Sequence, residues 1–81
     1  MGDEGVIYSS RGQVDIAAER ARQDEKWGQQ DHIDLYWLGI LMEEAGELAK
    51  AIIEGRSDSA RAELVQASAV CVAWLEAMDR R

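Results

Sequence analysis

Three glutamates, Glu43, Glu44 and Glu47, stand in a segment that is otherwise apolar, and a fourth, Glu63, recurs in the next such segment with Gln66 three residues on. In a helix, successive residues turn by about 100°. With Glu44 as reference, Trp37, Ile40, Leu41, Leu48 and Ala51 fall within roughly 60° of it, and Glu47 follows one turn later. Around Glu63 lie Ala67, Val70, Trp74 and Ala77, with Gln66 on the same side. These carboxylates interrupt apolar stripes instead of decorating a solvated face. An ionised carboxylate without a partner is costly to bury, so such groups need a cation, hydrogen-bond donors or a proton. A hard divalent cation such as Mg²⁺ takes oxygen ligands and meets that need. The competing reading pairs Glu44 and Glu47 with Arg20, Arg22 or Lys26 in an ion-pair network that carries no chemistry.

The elements that position these residues are helical. The pattern VDIAAERARQDEK predicts a short amphipathic helix over about 13–26, with Val14, Ala17, Ala18 and Ala21 as its apolar side. Trp27-Gly28 ends it, and QQDHID is a polar connector with Asp34 as the expected N-cap of the next helix. That second helix is expected over about 35–54 with Gly55 as its stop, and Ser57 or Asp58 is expected to cap a third reaching nearly to Arg81. The short link predicts an antiparallel hairpin, which would let the two acidic notches meet. Residues 1–12 are expected to form a flexible arm, and 13–81 a single domain. Both hairpin helices are apolar nearly all round, so one copy cannot bury them. The expectation is an all-α chain whose hairpin pairs as a dimeric four-helix bundle.

Composition narrows the function further. With 81 residues, one small domain is the most the chain can hold, and 47% hydrophobic content argues against disorder. A net charge of -7 makes a nucleic-acid polymer an unsuitable partner, although a bound cation can still recruit a small phosphate ligand. The single cysteine, Cys71, fits a reducing compartment and is expected in the core. No apolar run approaches the ~20 residues of a membrane span, and MGDEGVIYSS has neither the basic start nor the apolar core of a signal peptide. A cytoplasmic protein with no membrane partner is expected. On the first helix, Glu19, Arg22, Gln23 and Lys26 share a face. Arg22 and Lys26 are candidates for phosphate contact, Gln23 for a base or ribose edge and Trp27 for base stacking, against an ordinary solvated face and a packing anchor. Trp37 and Trp74 read as core or subunit-interface residues, and His32 as a capping or exposed residue.

EEAGE at 43–47 followed by ELVQ at 63–66 resembles the EExxE…ExxD signature of MazG-like nucleotide pyrophosphohydrolases, in the all-α NTP pyrophosphatase superfamily. The upstream ERARQDEKWG at 19–28 and the ending AVCVAWLEAMDRR are similar to the compact single-domain members, so the likeness spans about 13–81. It implies Mg²⁺-dependent hydrolysis, with Mn²⁺ as a substitute, of a nucleoside triphosphate, in particular a deoxynucleotide, to monophosphate and pyrophosphate. It implies Glu44, Glu47 and Glu63 as metal ligands, with Glu43 holding a further metal or orienting the attacking water. It also implies a homodimer or a dimer of dimers. Gln66 departs from the signature's Asp; its amide oxygen can ligate Mg²⁺ but brings no charge. A phosphoribosyl-ATP pyrophosphatase-like enzyme and a non-catalytic helical interaction module are the alternatives.

Overall fold

The computed structural model describes residues 10–81, and the chain over that range is all-helical, with three helices and no strand among the described residues. Helix α1 covers Arg11–Trp27, α2 Asp34–Ile53 and α3 Ser57–Asp79. Residues 1–9 of the expected arm lie outside the described residues. Its last part does not stay loose, because α1 starts two residues before Gln13. Ser10 Oγ accepts from the Gln13 backbone at 3.0 Å while Gln13 Oε1 accepts from the Ser10 N–H at 2.7 Å. This reciprocal capping box satisfies two donors at a helix start.

Chain reversal between α2 and α3 depends on Gly55, whose φ of 71° is costly for a residue with a Cβ. The Arg56 N–H donates to the Ala51 carbonyl at 2.9 Å and the Gly55 N–H to Ile52 at 3.1 Å, the two bonds of a Schellman stop. Gly28, also at φ 71°, plays the corresponding part after α1, donating to the Asp24 carbonyl at 2.8 Å. Two expected caps are not used as caps. Asp34 is the first residue of α2 instead, where its carboxylate accepts from Trp74 Nε1 at 2.9 Å and pairs with Arg81. It therefore ties the start of α2 to the end of α3 and complements the helix dipole. Ser57 and Asp58 likewise lie inside the first turn of α3, whose cap position is Arg56.

Helix α3 is the spine. Both α2 and α1 pack on it, whereas no Cα pair between α1 and α2 comes within 8 Å. A helix clasped on two sides needs small residues at the contacts, and Ala67, Ala69, Ala73 and Ala77 are all buried. Trp37 fills the space they leave, packing on Val70, Ala73 and Ala77 with Ile40, Leu41 and Trp74 around it. Helix α1 meets the spine unexpectedly. Its half-buried residues include Asp15, Ile16, Glu19, Arg20 and Gln23, while the apolar side formed by Val14, Ala17, Ala18 and Ala21 is exposed. Polar pairing replaces apolar burial here: Arg61 reaches Asp15 at 2.7 Å, and Arg20 bridges Asp24 and Glu76. Cys71 also departs from expectation, standing exposed on α3 instead of in the core.

Because Trp37 is the only large side chain in the buried cluster, the hairpin depends on it. Trp37→Ala is expected to cost about 3–5 kcal/mol of stability in urea unfolding. A loss below about 1 kcal/mol would show that the core does not rest on this contact.

Candidate metal and nucleotide site

The facing sides of α1, α2 and α3 enclose a cleft of ≈ 280 Å³. Helix α1 supplies Glu19, Arg22, Gln23 and Trp27 to it, the connector Gln30, and α2 Trp37, Ile40, Glu43 and Glu44. Helix α3 closes the floor with Gln66, Val70 and Ala73. The antiparallel register thus brings the acidic notch of α2 opposite that of α3, and five positions expected at a site from sequence (Arg22, Gln23, Trp27, Glu43 and Glu44) share the cleft with Gln66. Lys26, Glu47 and Glu63 are not on its wall.

Glu44 is the electrostatic centre. Its Oε2 is buried and has no hydrogen-bond partner. Burial, and then the charges of Glu63, Glu43, Glu47 and Glu19, raise its pKa above the ordinary carboxylate value. Glu47 and Glu63 therefore belong to the same charge cluster although they do not line the cleft. Among the described residues, none of Glu43, Glu44, Glu47 and Glu63 has a cationic partner within the ion-pair distance of 4.0 Å. The ion-pair network with Arg20, Arg22 or Lys26 is not formed, because those cations are engaged elsewhere. Arg20 serves Asp24 and Glu76, and Lys26 lies 4.6 Å from the centroid of the Trp27 ring.

Arg22 donates through Nε and Nη2 to the two oxygens of Glu19, at 2.9 and 2.6 Å, and Gln23 Nε2 adds a third bond at 3.3 Å. These bonds, with Arg22 foremost, hold the Glu19 carboxyl below its usual range. Two carboxylates at one cleft are thereby pushed in opposite directions: Glu19 is compensated and Glu44 is not, the pattern that separates chemical roles at a site. Trp37, which also lines the cleft, carries a buried Nε1 donor without an acceptor.

The donor set suits a hard divalent cation, since it consists of carboxylates and one amide oxygen. Among the described residues, however, no three His, Cys, Asp or Glu side chains are drawn together tightly enough to hold an ion as they stand. The fit is one of chemistry and neighbourhood: the orphaned Glu44 oxygen is the natural first ligand, and its neighbours surround it without closing on a point.

Besides the apolar Ile40, Val70 and Ala73, the cleft residues that the sequence did not single out for the site are Glu19, Gln30 and Trp37. Glu19 was detectable, since it shares a helix face with Arg22 and Gln23. Gln30 lies in a connector without periodicity, and Trp37 reads correctly as core while also lining the cleft. His32 is neither a cap nor free in solvent; it is half-buried, with its ring 4.4 Å from that of Tyr36 and 5.0 Å from that of Trp37.

No family model, curated protein or solved structure matches the chain. Among the described residues no helix is long and apolar enough to cross a membrane.

The raised pKa of Glu44 fixes the sign of a pH effect. Folding disfavours its charged form, so the penalty is absent below the unfolded-state value of 4.5 and grows as pH rises through it toward the folded value. Without added metal, Glu44→Gln should therefore melt at a higher temperature than the parent protein at pH 7, and the advantage should vanish below the unfolded-state value of 4.5. A variant less stable than the parent at pH 7 would contradict the assignment of Glu44 as an uncompensated charge.

Proposed function

We propose that the protein is a Mg²⁺-dependent nucleoside triphosphate pyrophosphohydrolase, acting on deoxynucleotides in particular and releasing monophosphate and pyrophosphate. The observation that carries the proposal is Glu44. A buried carboxylate oxygen without a partner, at a cleft wall and within the field of four other glutamates, is unfavourable unless a cation joins it. In this reading Glu44, Glu47, Glu63 and the Gln66 amide oxygen hold the ion. Mn²⁺ is an acceptable replacement, being similarly served by oxygen donors.

A divalent cation bound there offsets the charge of a triphosphate and polarises its phosphoryl oxygens. The chain's own residues do the rest. Glu43, exposed and on the cleft wall, is placed to accept a proton from an attacking water or to orient it. Trp27, which is 52% exposed and lies beside Lys26, offers a stacking face for a base at the mouth of the cleft. Gln23, half-buried on the cleft wall, offers polar recognition of a base or ribose edge. Arg22, half-exposed and bound to Glu19, is freed for phosphate only by exchanging that partner, while Lys26 must leave the Trp27 ring to do the same. Among the described residues Glu44 and Glu47 lack the ion pairs that would make the notches purely structural, which favours the enzyme over a helical interaction module.

Homodimerisation belongs to the same reading, either as one pair or as a dimer of dimers. The hairpin of one copy packs on that of another to complete a four-helix bundle, because α2 and α3 leave large apolar side chains exposed on the side away from α1.

The test is a panel of ribo- and deoxyribonucleoside triphosphates with Mg²⁺ or Mn²⁺, scored for monophosphate and pyrophosphate. Turnover of at least one deoxynucleotide is expected. Glu47→Gln, with unchanged helix content, should lower it by at least about a hundredfold, equivalent to roughly 2.7 kcal/mol of transition-state stabilisation. Undiminished turnover in that variant would overturn the site assignment, and inactivity across the panel would overturn the activity.

A further inference from the structure

Six positions of α2 repeat at alternating intervals of three and four: Leu35, Leu38, Met42, Ala45, Ala49 and Ile52. This is the spacing of a coiled-coil seam. The four large residues among them are between 42% and 74% exposed, so the seam is not spent on the chain's own core. It lies roughly 120° around the helix from the Trp37–Glu44–Ala51 stripe that faces α3, on the side opposite Glu43 and Glu47. Helix α3 continues the same surface with Leu64, Leu75 and Met78, all exposed and again at heptad-like intervals. The hairpin therefore has one face bearing α1 and the cleft, and another that is apolar and uncovered.

The order of residue sizes along α2 is specific to one kind of partner. Large residues occupy the first half of the seam and alanines most of the second, so the seam complements its own reversed copy.

We propose that α2 pairs antiparallel with α2 of a second copy about a two-fold axis at the level of Glu43 and Glu44. Met42 then packs against the partner's Ala45, Leu38 against the partner's Ala49, and Leu35 against the partner's Ile52. The two inner contacts each set a long side chain into the space left by a short one, which is how a packed helix interface avoids voids. The axis also holds the two acidic clefts on outer faces of the bundle, open to solvent. The pairing deepens the dimer of the reading above and does not depend on its chemistry.

The test is a size exchange, read by sedimentation equilibrium on the full chain with helix content checked by circular dichroism. The parent protein is expected to be a dimer. Met42→Ala leaves a void at both symmetric contacts and Ala45→Met overfills both, so each should weaken association by at least about tenfold. The double variant M42A/A45M restores one long and one short side chain at each contact, and should return to within about threefold of the parent. The exchange of Leu38 and Ala49 provides a second, independent cycle with the same expectation. A parent dimer in which neither double variant recovers overturns the α2 pairing and leaves the dimer standing. A parent chain that sediments as a monomer overturns both, without bearing on hydrolysis.

Discussion

A single carboxylate oxygen governs the arrangement of this small protein. Glu44 extends from the stripe of α2 that should be wholly apolar, and its Oε2 is sealed from solvent without a hydrogen bond. At this half-buried position, ionisation of Glu44 is disfavoured by partial desolvation. Its neighbours intensify the problem, since the charged groups acting on it are the carboxylates of Glu63, Glu43, Glu47 and Glu19. A structural network would have placed a cation here, and the chain has arginines within reach of the same helices. They are directed instead to Asp15, Glu19, Asp24 and Glu76. Among the described residues Glu43, Glu44, Glu47 and Glu63 are all left without a cationic partner, and Glu44 alone of these four has a buried oxygen without a hydrogen bond. A carboxylate perturbed in this way at a cleft is a candidate functional group.

The ion pairs that occupy Arg20 and Arg61 account for how α1 is used. A helix placed only for stability would bury Val14, Ala17, Ala18 and Ala21. This one turns Glu19, Arg20 and Gln23 inward, so that it walls the cleft with hydrogen-bonding groups and leaves its apolar side outside. The resulting monomer has a thin core, a tryptophan set among alanines and one valine. Chains of this size have little stability to spare, which makes the uncovered hairpin face more than incidental. On α2 the half-buried Glu44 faces the cleft while the large apolar residues Leu35, Leu38, Met42 and Ile52 stay exposed.

Much of this was legible in the sequence. The three helices, the hairpin, the Gly55 stop and the meeting of the two acidic notches follow from helical periodicity and turn chemistry. Helix starts were less legible, for definite reasons. Ser10 and Gln13 form a capping box that is obvious only once the chain is folded, and Asp34 is drawn from its expected cap role by Trp74 and Arg81, residues about 40 positions or more away. The orientation of α1 could not be read from hydrophobicity, because its packing is decided by ion pairs with α3. Cys71 illustrates the same limit on the spine: an apolar residue on α3 reads as core, but three faces of that helix compete for burial and only two are covered. The proposed substrate rests on the resemblance to MazG-like enzymes alone, whereas the proposed cation rests on the uncompensated Glu44 carboxylate. Gln66 is found on the cleft wall with Glu44, so its amide stands where a weaker, neutral ligand would have to act.

The central claim is that the uncompensated Glu44 cluster is a cation site. Calorimetric titration of the purified protein with Mg²⁺ near neutral pH tests it without reference to any substrate. Saturable binding in the millimolar range or tighter is expected for the parent chain, and its loss is expected in Glu44→Gln. The absence of binding at millimolar Mg²⁺, or binding that survives the substitution unchanged, would contradict the account.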